Sequence, residues 1–261
     1  MASVIIAALV TLTSLLGLFA PGPYERETEN WKLQAWGQDV GNILAAVVLV
    51  TSAVGSWRGA VRARQLWIGT LFYFLYAFAV YAFAVHFSRL FAAYVAVLGL
   101  VFWTLVAALS GRPRPLASPA GRARTFAACV LIGTGALFAL LWLSELVPAT
   151  VSGEPPRSLE AAGLATNPIY VIDLAVVLPG MIVVGVAALR GLEQATAFVL
   201  PVLMFSVLMG SSIIAATGFM LVSGDTSGLI PLIAVTVVVG LSVWAAVSWA
   251  QQMKMVDLSS G

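Results

Sequence analysis

The sequence predicts an all-α protein, a polytopic membrane bundle of eight transmembrane helices. Of its 261 residues, 61% are hydrophobic and 9% are charged, whereas soluble domains carry about a quarter charged residues. Apolar stretches of about 20 residues, the length that crosses the hydrocarbon core of a bilayer, recur along the chain. The segments between them are too short to fold around a core of their own. Residues 1–261 are therefore predicted to form a single integral membrane domain, with the lipid bilayer as its surroundings.

The predicted spans follow one another from end to end of the chain. In order, they cover residues 2–20, 38–57, 66–85, 90–110, 125–147, 168–189, 195–222 and 229–249. The first has the length of a signal peptide, but no basic residue precedes it, and Leu18 stands where cleavage after Ala20 would need a small side chain. We expect this helix to be retained, and its removal would leave seven spans.

The basic residues predict how the bundle is oriented. Nine of them follow the second, fourth, sixth and eighth spans, and these are Arg58, Arg62, Arg64, Arg112, Arg114, Arg122, Arg124, Arg190 and Lys254. The four on the opposite side are Arg26, Lys32, Arg89 and Arg157. Because cytoplasmic loops are enriched in Lys and Arg, both termini are predicted to be cytoplasmic. The acids follow the opposite pattern, since only Glu193 and Asp257 lie on the cytoplasmic side. The preference for Arg over Lys, with abundant Ala, Val and Gly, is typical of a GC-rich bacterial genome and predicts a bacterial plasma membrane.

The scarcity of cysteine, histidine and lysine excludes several classes of binding and catalytic site. Cys129 and His86 are the only cysteine and histidine, so this chain alone cannot supply a disulfide, a CxxC pair, a bis-histidine haem or a histidine-rich zinc site. Lys32 and Lys254 lie beside span ends, which argues against a Schiff-base lysine inside the bundle. No phosphate-binding or nucleic-acid motif is present, so no nucleic-acid partner is expected. We predict no cofactor, with a divalent cation on oxygen ligands as the alternative.

Polar side chains cluster at the predicted outer ends of four spans, where ionisable groups in hydrocarbon indicate function. The predicted binding pocket consists of Asp39, Asn42, His86, Glu145, Asn167, Tyr170 and Asp173, with Gln38 and Arg89 in support. Gln38, Asp39 and Asn42 fall within one 100° sector of a helix. Asn167, Tyr170 and Asp173 are spaced i, i+3, i+6, and Asp173 lies roughly 7–8 Å below Pro168. Arg89 is predicted to act as a counter-ion for one of the acids.

The remaining aromatic residues and the prolines have structural interpretations. The third span is crowded with Phe and Tyr on all sides of its axis, which predicts core packing and interface anchoring rather than a stacking platform. Pro179, followed by Gly180, predicts a bend in the sixth span close to Asp173. Small residues in the seventh span, including the pairs Ser211/Ala215 and Ser212/Ala216, predict close helix contact.

Three functions fit this pattern. The first is an outward-facing acidic pocket that binds or transports a small solute, a cation or a lipid, which three acids favour. The second is a membrane-embedded enzyme acting on a lipid or prenyl substrate, in which carboxylates and one imidazole hold a divalent metal or form an acid–base pair. The third is a non-catalytic subunit whose apolar faces dock other membrane helices, in an oligomer or with a partner protein.

Overall fold

The computed structural model describes residues 1–111, 116–117, 119–225 and 228–255, and for residues 116–117, 194–196 and 254–255 it describes the backbone alone. Its helices are α1 (Ala2–Phe19), α2 (Glu29–Trp57), α3 (Val61–Ala84), α4 (Phe91–Ser110), α5 (Gly121–Ser152), α6 (Arg157–Ala162), α7 (Pro168–Ile172), α8 (Leu178–Leu189), α9 (Glu193–Val222) and α10 (Leu229–Gln252). Two short strands, β1 (Leu116–Ala117) and β2 (Lys254–Met255), pair antiparallel. Within the described residues, eight helical stretches are long and apolar enough to cross a membrane, and this confirms the predicted polytopic bundle.

Two helices extend beyond the apolar stretches that predict them. The second begins at Glu29 rather than at residue 38, because Thr28 caps it by accepting a hydrogen bond from the backbone of Trp31. The fifth was expected to end before Pro148, but it continues to Ser152. A proline inside a helix removes one hydrogen bond, and the helix ends instead at Gly153, whose φ of 75° reverses the chain. Hydropathy marks where a helix enters lipid, and not where the helix begins.

The sixth span is interrupted by a π-helical turn. The turn covers Asp173–Val177 and joins α7 to α8, so that Pro168–Leu189 is one span. Pro179 lies just beyond it, within the first turn of α8. A proline ring clashes with the carbonyl group four residues before it, and a widened turn relieves such a clash. The structure therefore has a π-helical turn at the predicted bend, and the first residue of that turn is Asp173.

The buried apolar side chains form two large clusters that share α9, and a small third one of Trp31, Ala84 and Ala162. The first cluster joins α1, α2, α3 and α4, with Leu49 and Leu71 fully buried inside it. The second cluster joins α5, α8 and α10, with Trp249 fully buried. Leu208 of α9 belongs to the first cluster and Leu203, five residues earlier, belongs to the second. The two halves of the bundle therefore meet along α9.

Glycines in α2 allow that helix to approach α9 very closely. A Cβ atom built on Gly37 would lie 2.2 Å from the backbone of Ala216, and one built on Gly41 would lie 1.8 Å from the Ser212 hydroxyl. No side chain larger than hydrogen fits in either space. The small residues of the seventh span thus form a close helix contact, and their partners are glycines of α2.

Contacts at one end of the bundle join the beginning of α3 to α1 and to the residue that follows α10. Trp67 donates a hydrogen bond to Ser3 at 3.0 Å, and Arg62 donates one to the carbonyl group of Met253 at 3.3 Å. We call this the basic end, and its described arginines are Arg58, Arg62, Arg64, Arg122, Arg124 and Arg190. The opposite, acidic end carries Glu25, Glu27, Glu29, Glu145, Glu154, Glu160 and Asp225. Arg112, Arg114 and Asp257, which entered the orientation prediction, lie outside the described residues.

Candidate functional site

A cavity of about 390 Å³ lies between the two clusters. It extends from the acidic end to about the middle of the bundle, and α2, α3, α5, α7, α8, α9 and α10 all contribute to its wall. Along α9 the lining runs from Phe205 to Met220, which is about 22 Å of helix at 1.5 Å per residue. Cavities that bind small molecules have volumes of roughly 300–1,000 Å³, so this one has the size of a ligand site.

Asp173 provides the charge of the cavity. The indole N–H of Trp142, on α5, donates a hydrogen bond to Asp173 Oδ2 at 2.8 Å. The hydroxyl group of Tyr76, on α3, also lies close enough to interact with this carboxyl group. All three side chains line the cavity, and Asp173 itself is 9% exposed. One indole donor, with a tyrosine hydroxyl beside it from another helix, therefore holds this carboxyl group at the cavity wall.

The rest of the wall is mostly apolar and aromatic, with a few uncharged polar side chains, which are Gln34, Gln38, Thr134, Ser206, Ser212 and Thr217. Among the described lining residues Asp173 is the one carboxylate, and none of them is Lys, Arg or His. The aromatic members are Trp31, Tyr76, Tyr81, Phe138, Trp142 and Phe205. The cavity thus combines one negative charge with several π faces and has no basic group in its described lining.

A second polar group, centred on Tyr73, joins α2, α3 and α9. The Tyr73 hydroxyl accepts a hydrogen bond from Gln38 at 2.7 Å, donates one to Asn42 at 3.0 Å and lies 2.8 Å from the Ser212 hydroxyl. Gln38 and Ser212 also line the cavity, whereas Asn42 and Tyr73 are fully buried behind it. This network lines the cavity with two polar groups and ties the closely packed helices α2 and α9 to α3.

Asp39 lies behind the cavity wall rather than in it. Its Oδ2 atom accepts a hydrogen bond from Tyr24 at 2.8 Å, and its Oδ1 atom accepts one from Tyr81 at 2.9 Å. The side chain is 1% exposed, and of its two donors only Tyr81 lines the cavity. Burial, with Asp39 beside it, raises the pKa of the Tyr24 hydroxyl well above its ordinary value. Tyr24 therefore stays a neutral donor at neutral pH.

Glu145 belongs to a separate cluster at the acidic end. It accepts hydrogen bonds from the Tyr170 hydroxyl at 2.5 Å and from the backbone N–H of Ser158 at 3.2 Å. The Tyr170 ring lies 4.8 Å, centroid to centroid, from the ring of Trp142, which in turn donates to Asp173. Glu145 is therefore connected to Asp173 through two aromatic side chains, but it does not line the cavity.

The remaining predicted residues have local roles. His86, whose side chain is exposed, pairs with the buried side chain of Glu27 through its backbone N–H at 2.7 Å and its Nδ1 atom at 3.0 Å. Asn167 caps α7 by accepting a hydrogen bond from the backbone of Ile169. Arg89 is exposed, and among the described residues it forms no ion pair. The predicted counter-ion role of Arg89 is therefore not found in the described part of the chain.

The predicted residues thus do not converge on one vestibule. Asp173 and Gln38 line the cavity; Asp39, Asn42, His86, Glu145, Asn167 and Tyr170 are not among its described lining. The aromatic residues of the third span, which include Tyr76, were predicted to pack, and Trp142 was not predicted as a site residue, so both neighbours of Asp173 were missed. The signal was present, because a hydroxyl or indole N–H group inside a span needs a partner.

No protein-family model, curated protein or solved structure matches this chain. In the described part of the chain, no three side chains of His, Cys, Asp or Glu lie close enough together to hold a metal ion. The chemistry of the cavity therefore has to be argued from its own geometry.

Proposed function

We propose that this multi-pass membrane protein binds a small organic cation, an amine with an apolar body, in the cavity. The observation that carries the proposal is the lone carboxylate of Asp173, held by Trp142 in a lining that is otherwise uncharged and mostly apolar and aromatic. A carboxylate in such surroundings lacks the solvation that water would give it. A bound cation replaces that solvation, and the apolar wall binds the rest of the ligand.

The lining favours an organic cation over a metal ion. Ca²⁺ takes 6–8 oxygen ligands, and Mg²⁺ needs an octahedral set, whereas one carboxylate lies in the described wall. Aromatic faces attract ammonium groups, most strongly where water is excluded. The acid–base pair predicted for the enzyme alternative would place a second carboxylate or an imidazole beside Asp173. The described lining offers neither.

Asp173→Asn is expected to weaken the binding of benzyltrimethylammonium by about tenfold or more. The reason is that the variant loses the ion pair between the Asp173 carboxylate and the ammonium group of the probe. The measurement is calorimetric titration of the purified protein in lipid nanodiscs. Neopentylbenzene, the uncharged carbon isostere of this probe, should bind the wild type and the variant equally.

Glu154→Gln is the matched control, because it removes an exposed acid from the acidic end without touching the cavity. It should leave the affinity for benzyltrimethylammonium unchanged. Equal loss in Glu154→Gln and Asp173→Asn would mean that the acidic surface, and not the cavity, attracts the cation. Unchanged affinity in Asp173→Asn would refute the proposed role of its carboxylate.

We also propose that both termini are cytoplasmic, in a bacterial plasma membrane, so that the cavity faces outward. The support is the separation of arginines and acids between the two ends. In a Cys129→Ser background, a membrane-impermeant maleimide added to intact cells should label Glu154→Cys and not Arg58→Cys. Both positions are exposed, so the reverse pattern would invert the orientation.

A further inference from the structure

The buried carboxyl group of Asp39 has no role in the proposed cation site. It is 1% exposed, lies inside a membrane-spanning helix, and pairs with no basic side chain among the described residues. An unpaired carboxylate in such a place is costly, and buried acids in membrane helices commonly mark proton sites. A proton site needs surroundings that suit both a charged and a neutral carboxyl group.

The charged form has two donors. Tyr24 donates to Oδ2 at 2.8 Å and Tyr81 donates to Oδ1 at 2.9 Å, so both carboxylate oxygens are satisfied. Charge-assisted hydrogen bonds of this kind are roughly twice as strong as neutral ones. They stabilise the ionised form without any cation.

The neutral form is also accommodated, because the Tyr81 hydroxyl has a second acceptor. Its oxygen lies 3.3 Å from the backbone carbonyl oxygen of Ala35. When Oδ1 carries a proton, that proton is donated to the Tyr81 oxygen, and the Tyr81 O–H group turns to Ala35. One hydroxyl rotation therefore exchanges the two hydrogen-bond patterns and leaves no donor unsatisfied.

The groups that face Asp39 are hydroxyl groups. They come from α1, from the segment between α1 and α2, from α3 and from α4, and they belong to Ser14, Tyr24, Tyr73, Tyr81 and Tyr94. Glu27, a further acid, acts on Tyr94. Within the described residues no positive group reaches this site, so a proton is what neutralises Asp39.

We propose that Asp39 is a proton-binding site that exchanges its proton with the cavity through the hydroxyl group of Tyr81. In the uptake step, the Tyr81 O–H bond breaks as its proton passes to Asp39 Oδ1. The Tyr81 oxygen takes a replacement proton from hydronium in the cavity, which leaves as water. Release is the reverse, and Tyr81 is neutral before and after. The site is independent of the cation site, since Asp39 does not line the cavity.

The test is infrared difference spectroscopy of the C=O stretching band of protonated carboxyl groups, recorded against pH in nanodiscs. The buried carboxyl side chains in the described residues are those of Asp39, Asp173 and Glu27, and Glu27 is the one that pairs with His86. In Asp173→Asn a titrating carboxyl band should therefore remain, and in Asp39→Asn that component should be lost. A missing band in folded Asp173→Asn would overturn the proposal, whether or not Asp39→Asn folds.

The proton route through Tyr81 is tested by two matched variants, Tyr24→Phe and Tyr81→Phe. Each of them removes one hydrogen-bond donor to Asp39. After transfer into D₂O, the carboxyl band shifts as Asp39 exchanges its proton for a deuteron. This exchange should be on the order of a hundredfold slower in Tyr81→Phe than in the wild type, because a positioned proton donor speeds proton transfer by about that factor. Tyr24→Phe should keep the wild-type exchange rate, because Tyr24 does not line the cavity. Equal rates in the two variants would refute the route through Tyr81.

Discussion

Replacing Gly37 with alanine is expected to destabilise the folded bundle by about 3 kcal/mol, the upper end of what overpacking costs. The added Cβ atom would lie 2.2 Å from both the Cα and the N atom of Ala216. These are backbone atoms of α9, so no side-chain rotation relieves the clash, and α2 must move away from α9. Because α9 joins the two clusters, that movement also disturbs the cavity wall. The measurement is unfolding in increasing mole fractions of SDS, followed by tryptophan fluorescence.

Gly99→Ala is the control for this prediction. Gly99 lies within α4, and a Cβ atom built on it meets nothing within 4 Å. Alanine is the better helix former by about 1 kcal/mol, so this variant should be as stable as the wild type or slightly more stable. A Gly37→Ala protein as stable as Gly99→Ala would show that α2 and α9 are farther apart than described.

Tyr73→Phe is expected to cost about 2 kcal/mol, because it leaves buried polar partners without their hydrogen bond. The Tyr73 hydroxyl contacts Gln38, Asn42 and Ser212. The aromatic ring remains, so the loss reports the hydroxyl group and not the packing. The same SDS titration measures it.

A double-mutant cycle separates the Tyr73–Ser212 contact from general effects of substitution. The Tyr73→Phe/Ser212→Ala protein should lose less stability than the sum of its single variants, because no hydroxyl is then left facing an absent partner. Ser206→Ala is the matched control, since the Ser206 hydroxyl bonds to the carbonyl group of Val202 in its own helix. It should have little effect. Strict additivity in the cycle would contradict the contact.

Some side chains of the site could be predicted and others could not. Asp173 could be predicted as a site residue, because an acid several residues inside a span is costly wherever the helix packs. The separation of Asp39 from Asp173 could not be predicted, because both lie near the outer ends of their predicted spans. Helical spacing places Gln38, Asp39 and Asn42 on one side of α2, yet Gln38 reaches the cavity and Asp39 turns towards Tyr24. The division between them depends on which neighbour occupies each side of the helix.

The side chains that contact Asp173 could not be predicted from the sequence either. Trp142 resembles an interface anchor and Tyr76 resembles core packing, because each is a large aromatic residue in an apolar run. Their shared role at Asp173 exists only where α3, α5 and the π-helical turn meet. These contacts join residues far apart in the chain, and no local pattern encodes them.

The sequence by itself determined that the chain has eight helices able to cross a membrane. The reason is that the free-energy cost of placing polar backbone and charges in hydrocarbon depends on the residues of each helix alone. The sequence also determined that arginines and acids separate between the two ends. Only the tertiary structure decided which polar side chains meet, since that depends on how the helices rotate and pack against one another. Close contact at Gly37 and Gly41 sets the packing of α2 on α9, and with it the division of the acids between the cavity wall and the site behind it.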